Sequence, residues 1–115
     1  MIYFLIPAYN DSRNFSQLLI NINKVVKGKK KIFIVDDGSR DETQKVINML
    51  SKKYPLTRLG YSQNKGPGYA FRYGFSQIFK IASSGDLVVT MEADNTSDYS
   101  ILPKMIKLAE KFDVV

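Results

Sequence analysis

Short apolar runs alternate four times along the chain with longer stretches in which apolar positions recur every three or four residues. The runs Ile2 to Ile6, Ile32 to Val35, Leu56 to Tyr61 and Leu87 to Met91 predict four strands. Ile32-Phe33-Ile34-Val35 and Leu87-Val88-Val89 are apolar at every position, which suits parallel strands covered on both faces. The third run is weaker and suits a sheet edge.

Between the first two runs, Phe15, Leu18, Leu19, Ile22, Val25 and Val26 form one helical stripe with Gly28 as its stop, predicting a helix from about Asn14 to Val26. Ser39-Arg40-Asp41-Glu42 fits the capping-box pattern for a second helix carrying Val46, Ile47 and Leu50. A third helix is expected to open near Gly68 and to carry Ala70, Tyr73, Gly74, Ile78 and Ala82 before Ser83-Ser84-Gly85 ends it. A fourth starts around Pro103 with Met105, Ile106, Ala109 and Phe112, and Asp113-Val114-Val115 reads as a fifth strand just opening. The order predicts an α/β fold with a doubly wound, mostly parallel sheet. Residues 1–115 make one domain, expected to be the amino-terminal part of something longer.

Composition narrows the chemistry. The 115 residues contain neither His nor Cys, so this chain can build no imidazole base, Ser-His-Asp triad, thiolate nucleophile or His- or Cys-ligated zinc site. Any metal would be held by oxygen, which points to Mg²⁺, Mn²⁺ or Ca²⁺. Met1 to Ile6 is apolar but has no basic leader and stops at Pro7, too short for a signal peptide, so the chain reads as cytoplasmic. The formal net charge is +6, from 17 Lys and Arg against 11 Asp and Glu. Lys27, Lys29, Lys30 and Lys31 cluster around Gly28 and read as a solvated loop. The other basic residues are dispersed without an RNP-like aromatic pattern, which argues against nucleic acid as partner.

Ligands of open α/β sheets bind outside the carboxyl ends of the strands. Pro7-Ala8-Tyr9-Asn10-Asp11 follows the first strand, Asp36-Asp37-Gly38-Ser39 the second and Glu92-Ala93-Asp94-Asn95 the fourth. Glu92 and Asp94, at i and i+2, project to one side and can face one cation, with a substrate diphosphate completing its shell. One of Asp36 and Asp37 could be structural while the other accepts hydrogen bonds from a base or a ribose. Lys65-Gly66-Pro67-Gly68 offers a cation and backbone N–H groups at a helix start, favourable for phosphate. Neither GxGxxG nor a P-loop follows the first strand, which weakens dehydrogenase and ATPase readings.

Together, Ile6-Pro7-Ala8-Tyr9-Asn10, Val35-Asp36-Asp37-Gly38-Ser39-Arg40-Asp41-Glu42-Thr43, Asn64-Lys65-Gly66-Pro67-Gly68 and Met91-Glu92-Ala93-Asp94 resemble the family 2 glycosyltransferases of the GT-A fold. The dolichyl or polyprenyl phosphate mannosyltransferase type is nearest in flavour. The resemblance implies a Rossmann-like half that binds a UDP- or GDP-linked sugar, with Mg²⁺ or Mn²⁺ as cofactor. It also implies inverting transfer to an acceptor such as a polyprenyl phosphate or a glycan, and association of the full-length protein with the cytoplasmic face of the membrane.

By the same resemblance, Pro7, Ala8 and Tyr9 lie beside base and ribose, and Asp37 rather than Asp36 contacts the base. Lys65 and Gly66 lie at the diphosphate, and Glu92-Ala93-Asp94 stands where the family has Asp-x-Asp. Asp94 is then the firmer metal ligand, leaving Glu92 to bind the metal as well or to act on ribose or through water. No catalytic base and no acceptor-binding half are found in these residues. Two rival classes are a non-catalytic nucleotide-binding module, suggested by Glu92, and a nucleotidyltransferase, which would carry a glycine-rich basic loop after the first strand.

Overall fold

A computed structural model describes all residues from Met1 to Val115. The strands are β1 (Ile2–Ala8), β2 (Lys30–Asp37), β3 (Leu56–Tyr61) and β4 (Leu87–Thr90). The helices are α1 (Phe15–Val25), α2 (Thr43–Leu50), α3 (Pro67–Phe79) and α4 (Leu102–Leu108), with 3₁₀ turns at Ser12–Asn14 and Tyr99–Ile101. All strand pairs are parallel, in the order β3-β2-β1-β4.

The alternation of side chains along β1 and β2 divides the core in two. Phe4, Ile6, Ile32 and Ile34 face α1 and α2, together with Leu102 at the start of α4. Tyr3, Leu5, Phe33 and Val35 face α3 through Ala70 and Ile78. Helices thus cover both faces, as a doubly wound sheet requires. Phe15, Leu18, Leu19 and Ile22 of α1 are fully buried, each contributing about 1.5–3 kcal/mol relative to exposure. On the other face α3 comes unusually close: a Cβ at Gly74 would lie 2.2 Å from Leu5 Cδ1.

Several sequence expectations change. The capping box does not form: α2 begins at Thr43, the Ser39 hydroxyl accepts the Asn10 N–H, and Asp41 takes the Thr43 N–H instead. A hydrogen bond from a neighbouring loop has outcompeted the local cap. Asp36 and Asp37 belong to β2, because their backbones pair with Gly60 and Tyr61 of β3. The run at Leu87–Val89, expected in the middle of the sheet, pairs only with β1 and is half-buried. Helix α4 stops at Leu108, before Ala109 and Phe112, and residues 113–115 pair with no strand.

Candidate functional site: a crevice at the strand carboxyl ends

The sheet reverses its winding between β1 and β4, and the crevice outside that point is where doubly wound folds take their ligands. An open cleft of about 330 Å³ lies there, lined by Pro7, Asp11, Pro67, Phe71, Met91, Glu92, Ala93 and Asp94. Met91 and Ala93 are buried while Glu92 and Asp94 are exposed, so alternation after β4 turns both carboxylates out of the core and into the cleft wall.

Asp94 is held from behind. Its Oδ1 accepts the Thr96 N–H at 3.1 Å and the Thr96 hydroxyl at 2.7 Å, which leaves Oδ2 uncommitted. The Thr96 hydroxyl, followed by the Thr96 N–H, holds the Asp94 carboxyl below its ordinary range. The turn is fixed by Asn95, whose φ of 61° is left-handed. Its amide donates to the Asn14 carbonyl at 3.0 Å and accepts the Tyr99 hydroxyl at 3.0 Å, tying the loop after β4 to the start of α1.

The loop after β1 is tied in a similar way. Asn10 adopts φ 54°, donates its N–H to Ser39 Oγ and accepts the Arg40 N–H on Oδ1. Two residues on, the Ser12 hydroxyl donates to Asp41 at 2.8 Å. Partial burial pushes the Asp41 carboxyl up, but bonds from Thr43 and Ser12 outweigh it and hold the group below its usual value.

Both β2 aspartates are buried and fully engaged. Asp36 accepts the Ser39 N–H on Oδ1 at 2.8 Å and pairs with Arg58 through Oδ2 at 3.0 Å. Asp37 accepts the Tyr61 hydroxyl, the Asn64 amide and the N–H groups of Lys65 and Gly66. The Lys65 ammonium stands 5.0 Å from the Tyr69 ring centroid at the start of α3, a cation–π distance.

Of the residues singled out in the sequence, Pro7, Glu92, Ala93 and Asp94 meet in the cleft. Ala8 is buried in the core, Tyr9 is 43% exposed outside the cleft, and Asp36, Asp37, Lys65 and Gly66 do not line it. Within the Lys65-Gly66-Pro67-Gly68 turn, the Lys65 and Gly66 N–H groups donate to Asp37. The backbone donors that remain there are the N–H groups of Gly68 and, next along α3, Tyr69, which a helix start leaves without intrahelical partners. Asp11 and Phe71 line the cleft as well. The strand-end rule that found Pro7 could have found Asp11, whereas the helical spacing of Phe71 reads as core.

A parallel doubly wound sheet with exposed carboxylates and a helix amino terminus around its switch-point crevice defines a doubly wound α/β domain open for a ligand at that crevice. The chain belongs to glycosyl transferase family 2, whose family model matches residues 3–115. It is 34% identical over 104 residues to a dolichol-phosphate mannosyltransferase of Pyrococcus furiosus, covering 90% of this chain and 28% of that protein. It is 30% identical over 117 residues to an undecaprenyl-phosphate 4-deoxy-4-formamido-L-arabinose transferase of Pseudomonas savastanoi pv. phaseolicola, covering 96% and 33%. Among solved structures, a mannosyltransferase from Pyrobaculum calidifontis in complex with GDP-Man and Mn²⁺ superposes with a TM-score of 0.77. It is 20% identical, over 94% of this chain and 32% of that one, and so bears on the fold, which is GT-A. The chain thus spans about a third of the length of the curated relatives it matches.

Proposed function

We propose that these residues form the donor-binding part of an inverting glycosyltransferase, which transfers a sugar from a UDP- or GDP-linked donor to an acceptor such as a polyprenyl phosphate. The observation that carries the reading is the cleft itself, where Pro7, Glu92 and Asp94 converge beside the first turn of α3. Base and ribose would lie toward Pro7, Ala8 and Tyr9, and the diphosphate toward Lys65 and the Gly68 and Tyr69 N–H groups.

Glu92 and the free Oδ2 of Asp94 fit a hard divalent cation such as Mg²⁺ or Mn²⁺, which takes one or two carboxylates and completes its shell with phosphate oxygens. Bound there, such an ion would supply charge neutralisation on the departing diphosphate. In the transfer an acceptor oxygen forms a bond to the anomeric carbon as the bond to the nucleotide diphosphate breaks, through an oxocarbenium-like state. The chain's own part is to hold the donor and, through Lys65 and α3, to stabilise charge growing on the leaving group. An acceptor-binding half and a catalytic base would lie outside these residues. No helix is long and apolar enough to cross a membrane, and a polyprenyl acceptor would bring the whole protein to the cytoplasmic membrane face.

The test is calorimetric titration of the folded chain with UDP and GDP, with and without Mn²⁺. Metal-dependent binding of one nucleotide is expected, weakened at least tenfold by Asp94→Asn and unchanged by Ser16→Ala on the exposed side of α1. Binding indifferent to metal would remove the assignment of Glu92 and Asp94. A well-folded chain that binds neither nucleotide would overturn the donor-site reading.

A further inference from the structure

We propose that Asn95 and Tyr99 are positioning residues, which hold Asp94 in the cleft wall without touching the cation that Asp94 would bind. The segment from Glu92 to Asp98 follows β4 and is mostly exposed. The Asp94 carboxylate is held by Thr96 alone, and both residues are exposed, so the pair by itself could swing as one unit. Asn95 lies between them and prevents this. Its amide donates to the Asn14 carbonyl at 3.0 Å, the one hydrogen bond by which residues 92–98 reach the sheet or helices α1 to α3.

The other end of the same amide is anchored from the core. The Tyr99 hydroxyl donates to Asn95 Oδ1 at 3.0 Å, and the half-buried Tyr99 ring packs against the apolar cluster that contains Phe15, Leu18 and Leu102. Together the two bonds fix which way the amide faces, because a flip would set Oδ1 against a carbonyl oxygen, which has no proton to donate. They also hold Asn95 at φ 61°, in the left-handed region that a residue with a Cβ enters only at a cost. In that conformation the Thr96 N–H and hydroxyl fold back onto Asp94 Oδ1, and Oδ2 stays free. The order that reaches Asp94 thus comes from the core through Tyr99 and from the start of α1 through Asn14.

The proposal rests on the donor-site reading for its cation, and its structural part is tested without one. In the chain alone, the Thr96 amide is expected to exchange with deuterium severalfold more slowly than an unstructured reference amide. Asn95→Gly permits the left-handed turn but removes both bonds, and should abolish that protection. Tyr99→Phe keeps the ring in the core and should lower the protection in part. The Phe4 and Ile34 amides should stay protected in both variants, which shows each to be folded; if Asn95→Gly does not fold, Tyr99→Phe decides. An unprotected Thr96 amide in the unaltered chain, or protection unchanged in the deciding variant, would overturn the proposal.

Mn²⁺ is then titrated in the presence of UDP or GDP, with the free ion read by electron paramagnetic resonance. Loss of a group that orients a metal-binding side chain from behind lowers metal affinity by about ten- to a hundredfold. Asn95→Gly should therefore weaken Mn²⁺ about tenfold and Tyr99→Phe severalfold. Tyr54→Phe, at a half-buried tyrosine packed on the same core far from the cleft, should leave the affinity unchanged. Mn²⁺ bound as tightly by a folded Asn95→Gly as by the unaltered chain would overturn the proposal. Failure of the unaltered chain to bind Mn²⁺ would count against the donor site alone, and exchange at Thr96 would still decide whether Asn95 and Tyr99 position Asp94.

Discussion

The Asn10 N–H donates to the Ser39 hydroxyl at 3.0 Å across 29 residues of sequence, and Asn10 Oδ1 accepts the next backbone N–H, that of Arg40, at 2.9 Å. One residue thus binds the loop after β1 to the loop after β2. It does so in the left-handed region, with φ 54°, which Asn tolerates better than other residues that carry a Cβ. The two roles separate by substitution. Asn10→Gly keeps the backbone and loses Oδ1, costing about 0.5–1.5 kcal/mol. Asn10→Ala adds left-handed strain of about 1–2 kcal/mol. Urea denaturation should therefore rank Asn10→Ala below Asn10→Gly; equal losses would mean that φ is no constraint at this position.

The packing of α3 on the sheet makes a second prediction. A Cβ at Gly74 would meet Leu5 Cδ1 at 2.2 Å and Val35 Cγ2 at 3.0 Å, both of them side-chain ends within a buried layer. Gly74→Ala should then cost about 1–3 kcal/mol as an overpacked core, although alanine favours a helix. Leu5→Ala alone should cost about 2–5 kcal/mol. The double variant should be more stable than the sum of the two losses by about 1 kcal/mol or more, since the new methyl occupies the space vacated by Leu5. Strict additivity in denaturant unfolding would place the clash elsewhere.

The four strands and four helices were legible because buried parallel strands and amphipathic helices write their periods directly into the sequence. Three features were not. Ser39 reads as a helix cap by local pattern, yet its hydroxyl serves Asn10, 29 residues away, and no local rule sees that partner. The Lys65-Gly66-Pro67-Gly68 turn reads as a phosphate cradle, and only the fold shows that a carboxylate from β2 takes the Lys65 and Gly66 amides. The winding reversal that gathers Pro7 with Glu92 and Asp94 follows from strand order, and strand-end position alone singled out these residues before the order was known. Phe71 reads by its helical spacing as core or interface, because an aromatic residue at that spacing looks the same whether it faces a core or a cleft.

Tyr61 gives the chain an alkaline dependence. Burial first, and then the bond to the Asp37 carboxylate, raise the Tyr61 hydroxyl well above its ordinary value. A group whose folded pKa is raised contributes stability that is complete below the unfolded value, about 10 for tyrosine. That contribution is lost as pH rises from there through the folded value. Stability should thus begin to fall above about pH 10, and Tyr61→Phe should flatten that limb. At neutral pH the same variant should cost about 1.5–3 kcal/mol, as expected for one hydrogen bond from a half-buried hydroxyl to a buried charged carboxylate. Chemical denaturation at pH 7 and pH 10.5 reads both effects, and an unchanged alkaline slope in Tyr61→Phe would remove Tyr61 as its source.

Thr96 should control how well Asp94 takes a cation. Its hydroxyl and N–H both bond Oδ1 and hold the carboxyl below its ordinary range. Since the folded value is depressed, Asp94's favourable contribution is present above the unfolded pKa, about 3.9, and is lost as pH falls through the folded value. Thr96→Val removes the hydroxyl, the larger of the two influences, so the Asp94 pKa should rise toward the unfolded value, as read by carbon NMR titration of its carboxyl. Protons compete with a metal for that carboxylate, and the acid limb of Mn²⁺-dependent nucleotide binding should move to higher pH in step. A limb that stays fixed while the Asp94 pKa moves would mean that some carboxylate other than Asp94, such as Glu92 or Asp11, limits metal binding.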